Sequence, residues 1–447
     1  MLKFKKSENS LTVFNYSKNM PIMKIKSILK GLAALSFVVF AFACSSSDEG
    51  SGAASSITVS GSSSSVFVGE SVTFTVENNL GTNVTAGSDL DIGGTVISNP
   101  YTFNTVGNFE VTATNGGLTN STTITVQEVP APTAITLWAN TDSFWFDDGS
   151  ATFVVTDNLG NDVTGLVTYA AESGTLTNPA TFASAGTYNA TATFTLEDGN
   201  TITSNTLVLK AVESTHTTKV MVEDYTGTWC QYCPRLAYAL EQAVEASSNI
   251  IPVALHDDND MPFPNINSLL NTFGVTGFPS GRVNRTINWN ESTSQPVALL
   301  DDRQHMGLAI SSSLSGSTIT AEVNVHYDLK VDSPNRIVVY LLENGLVYPQ
   351  VNFYNGDPAS PYYQQGNPIV NFVHNHTART TFTDVYGDDI PFAESSTDNT
   401  YTANYTLTVP GSVQNTSNLE IVAFVVGLDN TVLNVQKADV GETKDFD

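Results

Sequence analysis

Two of the three cysteines in this 447-residue chain stand three apart, in TGTWCQYCPR, Thr226 to Arg235. Cys-x-x-Cys spacing serves three chemistries: a redox dithiol, half of a metal site, or a short cross-link. The local pattern favours the first. A short strand, KVMVEDY (Lys219 to Tyr225), runs through Thr226-Gly227-Thr228-Trp229 into a stretch with helical spacing. That order predicts Cys230 exposed at the helix N-cap and Cys233 one turn later on the same face. The positive helix end and its unpaired N–H groups would hold Cys230 as a thiolate, with a pKa below about 8.5. Cys233 would then attack a mixed disulfide intramolecularly. Pro234 falls at the edge of the first turn, where a missing N–H costs least. A cross-link closing so short a loop removes little chain entropy, so stabilisation alone explains it poorly.

A closed zinc site needs two further ligands, and no other cysteine is available; His256, ending IIPVALH, is a conceivable third. His374-Asn375-His376 puts two imidazoles on one strand face, a pattern shared by metal pairs and by hydrogen-bonded loop histidines. Asp257-Asp258-Asn259-Asp260 lacks the glycine and terminal glutamate of a calcium loop and reads as a solvated turn. No metal is therefore assigned. Asp224 and Glu223 must point to opposite faces of their strand, and a register slip of one would exchange them. Trp229 is either an aromatic packed beside the sulfurs or a platform for bound peptide.

The elements that must hold these residues alternate. Leu236, Leu240, Ala243 and Val244 recur at helical spacing through Ser247, and IIPVAL (Ile250 to Leu255) reads as a buried parallel strand. Ile266, Leu269, Leu270 and Phe273 predict a second helix, stopped by Gly274. The β-α-β-α order over residues 217–275 calls for a parallel sheet with crossover helices. From Met306 onward, ITAEVNVHYDL, RIVVYLLE, YTANYTLTV and LEIVAFVVG predict antiparallel strands, with long Asn/Gly/Pro-rich connections around Tyr354 to Pro368.

Trp229-Cys230-Gln231-Tyr232-Cys233-Pro234 after a strand resembles the thioredoxin superfamily active site. Asp224 stands six residues before Cys230, where that family keeps a buried acid serving the resolving thiol. Gly277-Phe278-Pro279 is similar to its cis-proline loop, which packs on the disulfide and pairs with substrate backbone. Arg282-Val283-Asn284-Arg285 can start the next strand. The resemblance implies Cys230 as attacking thiolate, Cys233 as resolving thiol, Asp224 as proton relay, and Trp229, Phe278 and Pro279 as the substrate-binding rim. Gln231-Tyr232 between the cysteines and Phe278 before the proline depart from reducing thioredoxins, leaving reductase, oxidase and isomerase undistinguished. VMVEDYTGTWCQYCPR…GVTGFPSGRVNR, ENGLVYPQ and FVHNHTARTTFTDVYGDDIP further resemble an outer-membrane lipoprotein family typified by a twenty-eight-kilodalton surface protein. That family joins a thioredoxin-like domain to a C-terminal β-domain, and the resemblance covers residues 215–447.

The N-terminus carries an expected address. Lys24, Lys26 and Lys30 precede the apolar run LAALSFVVFAFA, which is too short for a permanent span and ends before Cys44. AFACSSSDEG resembles a lipoprotein box with Cys44 as the lipidated residue, and Ser45 to Glu49 resembles the acidic export tags of surface-displayed lipoproteins. Cys44 taken by lipid leaves Cys230 and Cys233 alone in an oxidising compartment. SVTFTVENNLGTNVT (Ser71 to Thr85) repeats as SATFVVTDNLGNDVT (Ser150 to Thr164), and NPYTF as NPATF. Each copy alternates like half-buried strands and resembles a bacterial immunoglobulin-like sandwich, whose plain role is a spacer and whose other use is adhesion.

The expected organisation is an over-extended start at 1–22, a signal peptide at 23–43 and a linker at 44–56. Immunoglobulin-like domains follow at 57–128 and 133–213, joined by Val129-Pro130-Ala131-Pro132; then come a thioredoxin-like domain at 214–303 and a β-sandwich at 304–447. The fold class is multidomain, all-β except for that one α/β domain. A balance of 18 Lys+Arg against 44 Asp+Glu, net −26, excludes nucleic-acid partners. Expected partners are extracytoplasmic proteins or peptides with thiols or disulfides, and outer-membrane lipid through Cys44. No dissociable cofactor is implied, and the expected activity is thiol–disulfide exchange at the cell surface. The competing class is a binding or adhesion lipoprotein with a structural disulfide.

Overall fold

The computed structural model describes residues 53–447. The expected signal peptide at 23–43, the residues before it and the expected lipidation site Cys44 lie outside the described residues. The chain is mostly β and forms two compact units. The first contains the N-terminal repeat. Its strands at Gly107–Asn115 and Leu118–Gln127 form a hairpin about the Gly116-Gly117 turn, and Val72, Phe74, Val76, Val111 and Ile124 fill its core. Here Asn99 accepts the Phe74 amide at 2.8 Å and precedes a cis proline. In the second unit Asn178 accepts the Phe153 amide at 2.8 Å and also precedes a cis proline. The sequence repeat is thus a repeat of hydrogen bonding.

In the second unit the other repeat forms a six-stranded sheet that includes Gly186–Thr195 and Leu207–Val212. Arg303 ties this repeat to the rest of the unit, reaching Asp147 at 2.6 Å and lying over the Trp145 ring. Beyond the repeat come β1 (Val220–Thr226), α1 (Cys233–Ala246), β2 (Ile250–His256), α2 (Ile266–Thr272) and β3 (Ser280–Val283). β1 and β2 are buried at every position and pair in parallel, as the nearly unbroken apolar run of β2 leads one to expect, although β1 carries Glu223 and Asp224. β3 returns antiparallel to β1. α1 lays Leu236, Leu240 and Ala243 on Val220 and Val222, so the even-numbered residues of β1 face this helix. Met221 and Tyr225 face the opposite side, against Phe263, Ile266 and Leu269.

The later strands are β4 (Met306–Ser315), β5 (Thr318–Tyr327), β6 (Asn335–Glu343), β7 (Leu346–Gln350), β8 (Ile369–His374), β9 (Thr377–Thr381), β10 (Asn399–Thr408), β11 (Leu419–Val426) and β12 (Val432–Asp439). β9 pairs with β2 at Ala254–Thr377, so β3-β1-β2-β9-β6-β11-β12 run through a single nine-stranded sheet. Strands on both sides of residue 303 therefore share one sheet and one core, in which Met221 and Leu255 lie with Tyr340 and Phe424. The other face of β6 and β11 packs on the β10-β5-β4 sheet through Ile337, Val339, Ile421 and Val323. Short β7 and β8 pair only with each other and stand off the large sheet as a hairpin.

Candidate functional site

Cys230 and Cys233 form a disulfide at the C-terminal end of β1. The local geometry corrects one expectation. The helix begins at Cys233 with Tyr232 as N-cap, while Cys230 sits in the preceding turn, its amide bonded to the Gly227 carbonyl at 3.0 Å. With Pro234 in the first turn, the helix starts late, and Cys233 rather than Cys230 is nearest its positive end.

A second expectation, an exposed Cys230, also fails: it is 3% exposed and Cys233 is 1% exposed. The cover comes from far along the chain. The end of β7 and the residues after it lie along the cysteine turn, with the Val351 amide donating to Thr228 O and the Phe353 amide to Gln231 O, both at 2.9 Å. Gln350 Nε2 donates to Cys230 O at 2.9 Å and to Gly227 O at 3.3 Å. Aromatic rings rim this cover. Trp229 remains 54% exposed, its Nε1 donating to Asp257 O at 2.7 Å and its ring 5.5 Å from Phe278. Tyr232 lies 4.7 Å from the exposed Phe353 ring. The Phe278–Pro279 peptide is cis, and Ser280 pairs with Tyr225. Pro279 therefore lies one residue before β3, just outside the ladder at the sheet end that carries the cysteine turn.

On its other side the disulfide borders a cavity of about 250 Å³ between α1 and the β7–β8 hairpin, lined by Asp224, Cys233, His256, Gln350 and His374 among others. The alternation of β1 brings Asp224 here, and Glu223 turns to the opposite face. Asp224 is 3% exposed, and its Oδ1 is buried with no hydrogen-bond partner. Burial, with a smaller contribution from the Glu291 charge, pushes its carboxyl from 3.8 up to about 8. Glu223 instead meets Arg285, Nε to Oε1 at 3.3 Å, and Tyr225 Oη at 3.1 Å, with Arg285 set against the Phe424 ring. Glu223 and Asp224 thus have separate environments, one paired and one alone.

His256, His374 and His376 line this cavity with Cys233 but form no three-ligand cluster with it among the described residues. His256 bonds Asp258 at 2.9 Å, and His374 approaches Tyr348 O at 3.4 Å, its ring 5.3 Å from that of His256. Burial, followed by the His256 charge, pushes the His374 imidazole down to about 3, so it is neutral at physiological pH. His376 turns to Glu420 at 3.3 Å. Neither His256 with the sulfurs nor His374 with His376 belongs to a three-ligand cluster among the described residues. Asp258 organises its own loop, accepting the Thr228, Asp260 and Met261 amides. Gln350 is the site residue that motif reading missed. It lies in ENGLVYPQ, where nothing about its type or spacing points to a backbone carbonyl 120 residues away.

Fold and site together define a β-rich multidomain chain with one small α/β segment that carries a covered Cys-x-x-Cys disulfide. Residues 266–444, under half of the chain, match the family model of the outer membrane protein Omp28. No curated protein matches. Among solved structures, HBP35 of Porphyromonas gingivalis is 19% identical with a TM-score of 0.40, over 52% of this chain and 77% of that one. Domains 5–6 of the S-layer protein SbsC are 14% identical with a TM-score of 0.15, over 36% of this chain and 99% of theirs. Fibronectin(III)-like modules of Clostridium thermocellum CbhA are 15% identical with a TM-score of 0.15, over 34% and 92%. Likeness at this level carries no functional information.

Proposed function

We propose that this chain is an outer-membrane, surface-exposed lipoprotein, anchored through Cys44, whose Cys230–Cys233 pair exchanges disulfides with extracytoplasmic proteins or peptides. The Omp28 match supports the location, and the order β1-α1-β2-α2-β3, with β2 parallel and β3 antiparallel to β1, supports a thioredoxin-like reading of residues 214–303. The observation that carries the chemistry is Asp224: a lone, buried carboxyl lining the same cavity as Cys233. A structural disulfide has no use for it, and an unpaired buried acid is destabilising.

In the reducing direction Cys230 thiolate attacks a substrate disulfide, forming a mixed disulfide and releasing one substrate thiolate. Cys233 passes its proton to ionised Asp224, the minor form below about pH 8, and its sulfur attacks Cys230, releasing the second substrate thiolate and leaving the Cys230–Cys233 disulfide. The substrate gains two electrons and the pair loses two. A carboxyl near 8 suits a thiol near about 8.5, because a gap of half a unit makes the proton transfer uphill by under about 1 kcal/mol. Exposed Trp229 and half-buried Phe278 offer aromatic surface, and Pro279 backbone contact, to the substrate. Turnover uses an external dithiol.

Insulin reduction with a dithiol donor tests this reading. Wild type should turn over, Cys233→Ser should not, and Asp224→Asn should slow the step by about 10²-fold, the usual size of general-base assistance. A wild-type chain no faster than the donor alone would leave a second reading, a binding lipoprotein with a structural cross-link. The burial of Cys230 under Gln350 favours that reading.

A further inference from the structure

Far from the cysteines, three residues that no motif joins meet at one point. His216 lies in the segment leading into β1, His326 near the end of β5, and Asp328 just beyond it. His216 Nε2 is 2.8 Å from His326 Nδ1, and Asp328 Oδ1 is 3.6 Å and 3.8 Å from those two nitrogens. This is the only group of three such ligand atoms among the described residues. Ligands bound to tetrahedral Zn²⁺ at about 2.0–2.1 Å lie about 3.3 Å apart, so the three spacings bracket what such an ion needs.

The surroundings are built to hold this geometry. His326 pairs across the ladder with Gly307, and a Cβ at Gly307 would overlap the His216 ring. Glycine there lets one imidazole lie over the strand and reach the other. Two ring nitrogens at hydrogen-bond distance cannot both carry a proton, so at least one lone pair points inward. Thr215 fixes the carboxylate from outside, its amide donating to Asp328 Oδ2 at 2.6 Å and its hydroxyl to Oδ1 at 2.7 Å, as orienting partners of metal ligands do. Asp328 is 4% exposed, and among the described residues no lysine or arginine pairs with it. Phe446 screens the histidines on one side, its ring 5.5 Å from that of His216. On another side, His326 and Asp328 line a cavity of about 340 Å³.

We infer that His216, His326 and Asp328 bind one divalent transition-metal ion, for which Zn²⁺ is the best fit, with its remaining position open to that cavity. Two borderline imidazoles with a single hard carboxylate suit Zn²⁺ rather than Ca²⁺ or Mg²⁺, which take all-oxygen ligand sets. The ion would replace the His216–His326 hydrogen bond, neutralise Asp328, and clip the segment before β1 to the β4–β5 hairpin.

The test is calorimetric titration of Zn²⁺ into the full chain with its disulfide intact and Cys44 blocked by alkylation, so that no thiol can ligate, paired with thermal melting. One equivalent should bind and raise the melting temperature. His326→Gln and the near-isosteric Asp328→Asn should each weaken binding by about 100-fold or more, and Thr215→Val by about 10-fold. His305→Gln and the Cys230→Ser/Cys233→Ser double variant should bind as wild type does. Co²⁺ should give a low-coordination visible spectrum that His326→Gln abolishes. No saturable Zn²⁺ binding by wild type would overturn the inference, as would unchanged affinity in folded His326→Gln and Asp328→Asn chains.

Discussion

Replacing Asp224 by asparagine should stabilise the oxidised protein, and by more as the pH rises. The folded chain keeps the Asp224 proton to about pH 8, whereas the unfolded chain loses it near 3.8. Between those values the folded state binds the extra proton, so this group's contribution to stability falls as pH increases through the window. At about 1.36 kcal/mol per unit, the wild-type penalty grows from roughly 2 kcal/mol at pH 5 to about 4 at pH 7 and about 6 at pH 9. Asparagine keeps the volume and removes the titration, while its amide is left unpaired in the cavity at a cost of about 1–3 kcal/mol. Asp224→Asn should therefore match wild type near pH 5, exceed it by about 2 kcal/mol at pH 7, and by about 4 at pH 9. Denaturant unfolding of both oxidised chains at the three pH values reads this difference directly, and every other titrating group cancels between them. A gap that stays constant from pH 5 to pH 9 would show that Asp224 titrates as a solvated carboxyl, and the proton-relay argument would fail with it.

Three other substitutions probe the cover, the rim and the core. Gln350→Ala removes the side-chain bonds to Cys230 O and Gly227 O; once reduced, the chain should react about tenfold faster at Cys230 with a small alkylating reagent, timed by mass spectrometry. Trp229→Ala should leave the denaturation midpoint almost unchanged, because the ring is 54% exposed, yet weaken capture of a disulfide-bonded peptide by about tenfold. Arg285→Met strands Glu223, both side chains being fully buried, and should cost about 3–5 kcal/mol in a urea melt. Because that pair faces away from the cavity, the remaining folded chain should keep the wild-type pH profile of exchange.

What was legible in the sequence was local. Helical spacing of Leu236, Leu240 and Ala243 found the buried stripe of α1, and the unbroken IIPVAL run found a strand in a parallel pair. Alternation along β1 separated Asp224 from Glu223, because period two is set by the backbone itself. The repeat was visible because Asn99 and Asn178 make the same bond in each copy. The N-cap position was misjudged: the turn bonded from Cys230 N to Gly227 O delays the helix, and a run of Thr, Gly and Trp does not announce such a turn. The covering of Cys230 was out of reach, since Gln350 and Val351 come to it from the β7–β8 hairpin and hydrophobic patterning carries no record of contacts so distant. His216 and His326, 110 residues apart, were hidden for the same reason. His326-Tyr327-Asp328, two ligand types on one face of a strand end, was the only trace of that cluster.

The central claim is that Cys230 is a nucleophile despite its cover. The most direct measurement incubates the reduced Cys233→Ser chain with a disulfide-bonded peptide and maps adducts by non-reducing mass spectrometry. A mixed disulfide on Cys230, forming faster in Gln350→Ala/Cys233→Ser, is the expected result. A Cys230 that stays free of adduct in both chains, while a small reagent alkylates it, would contradict exchange with proteins or peptides.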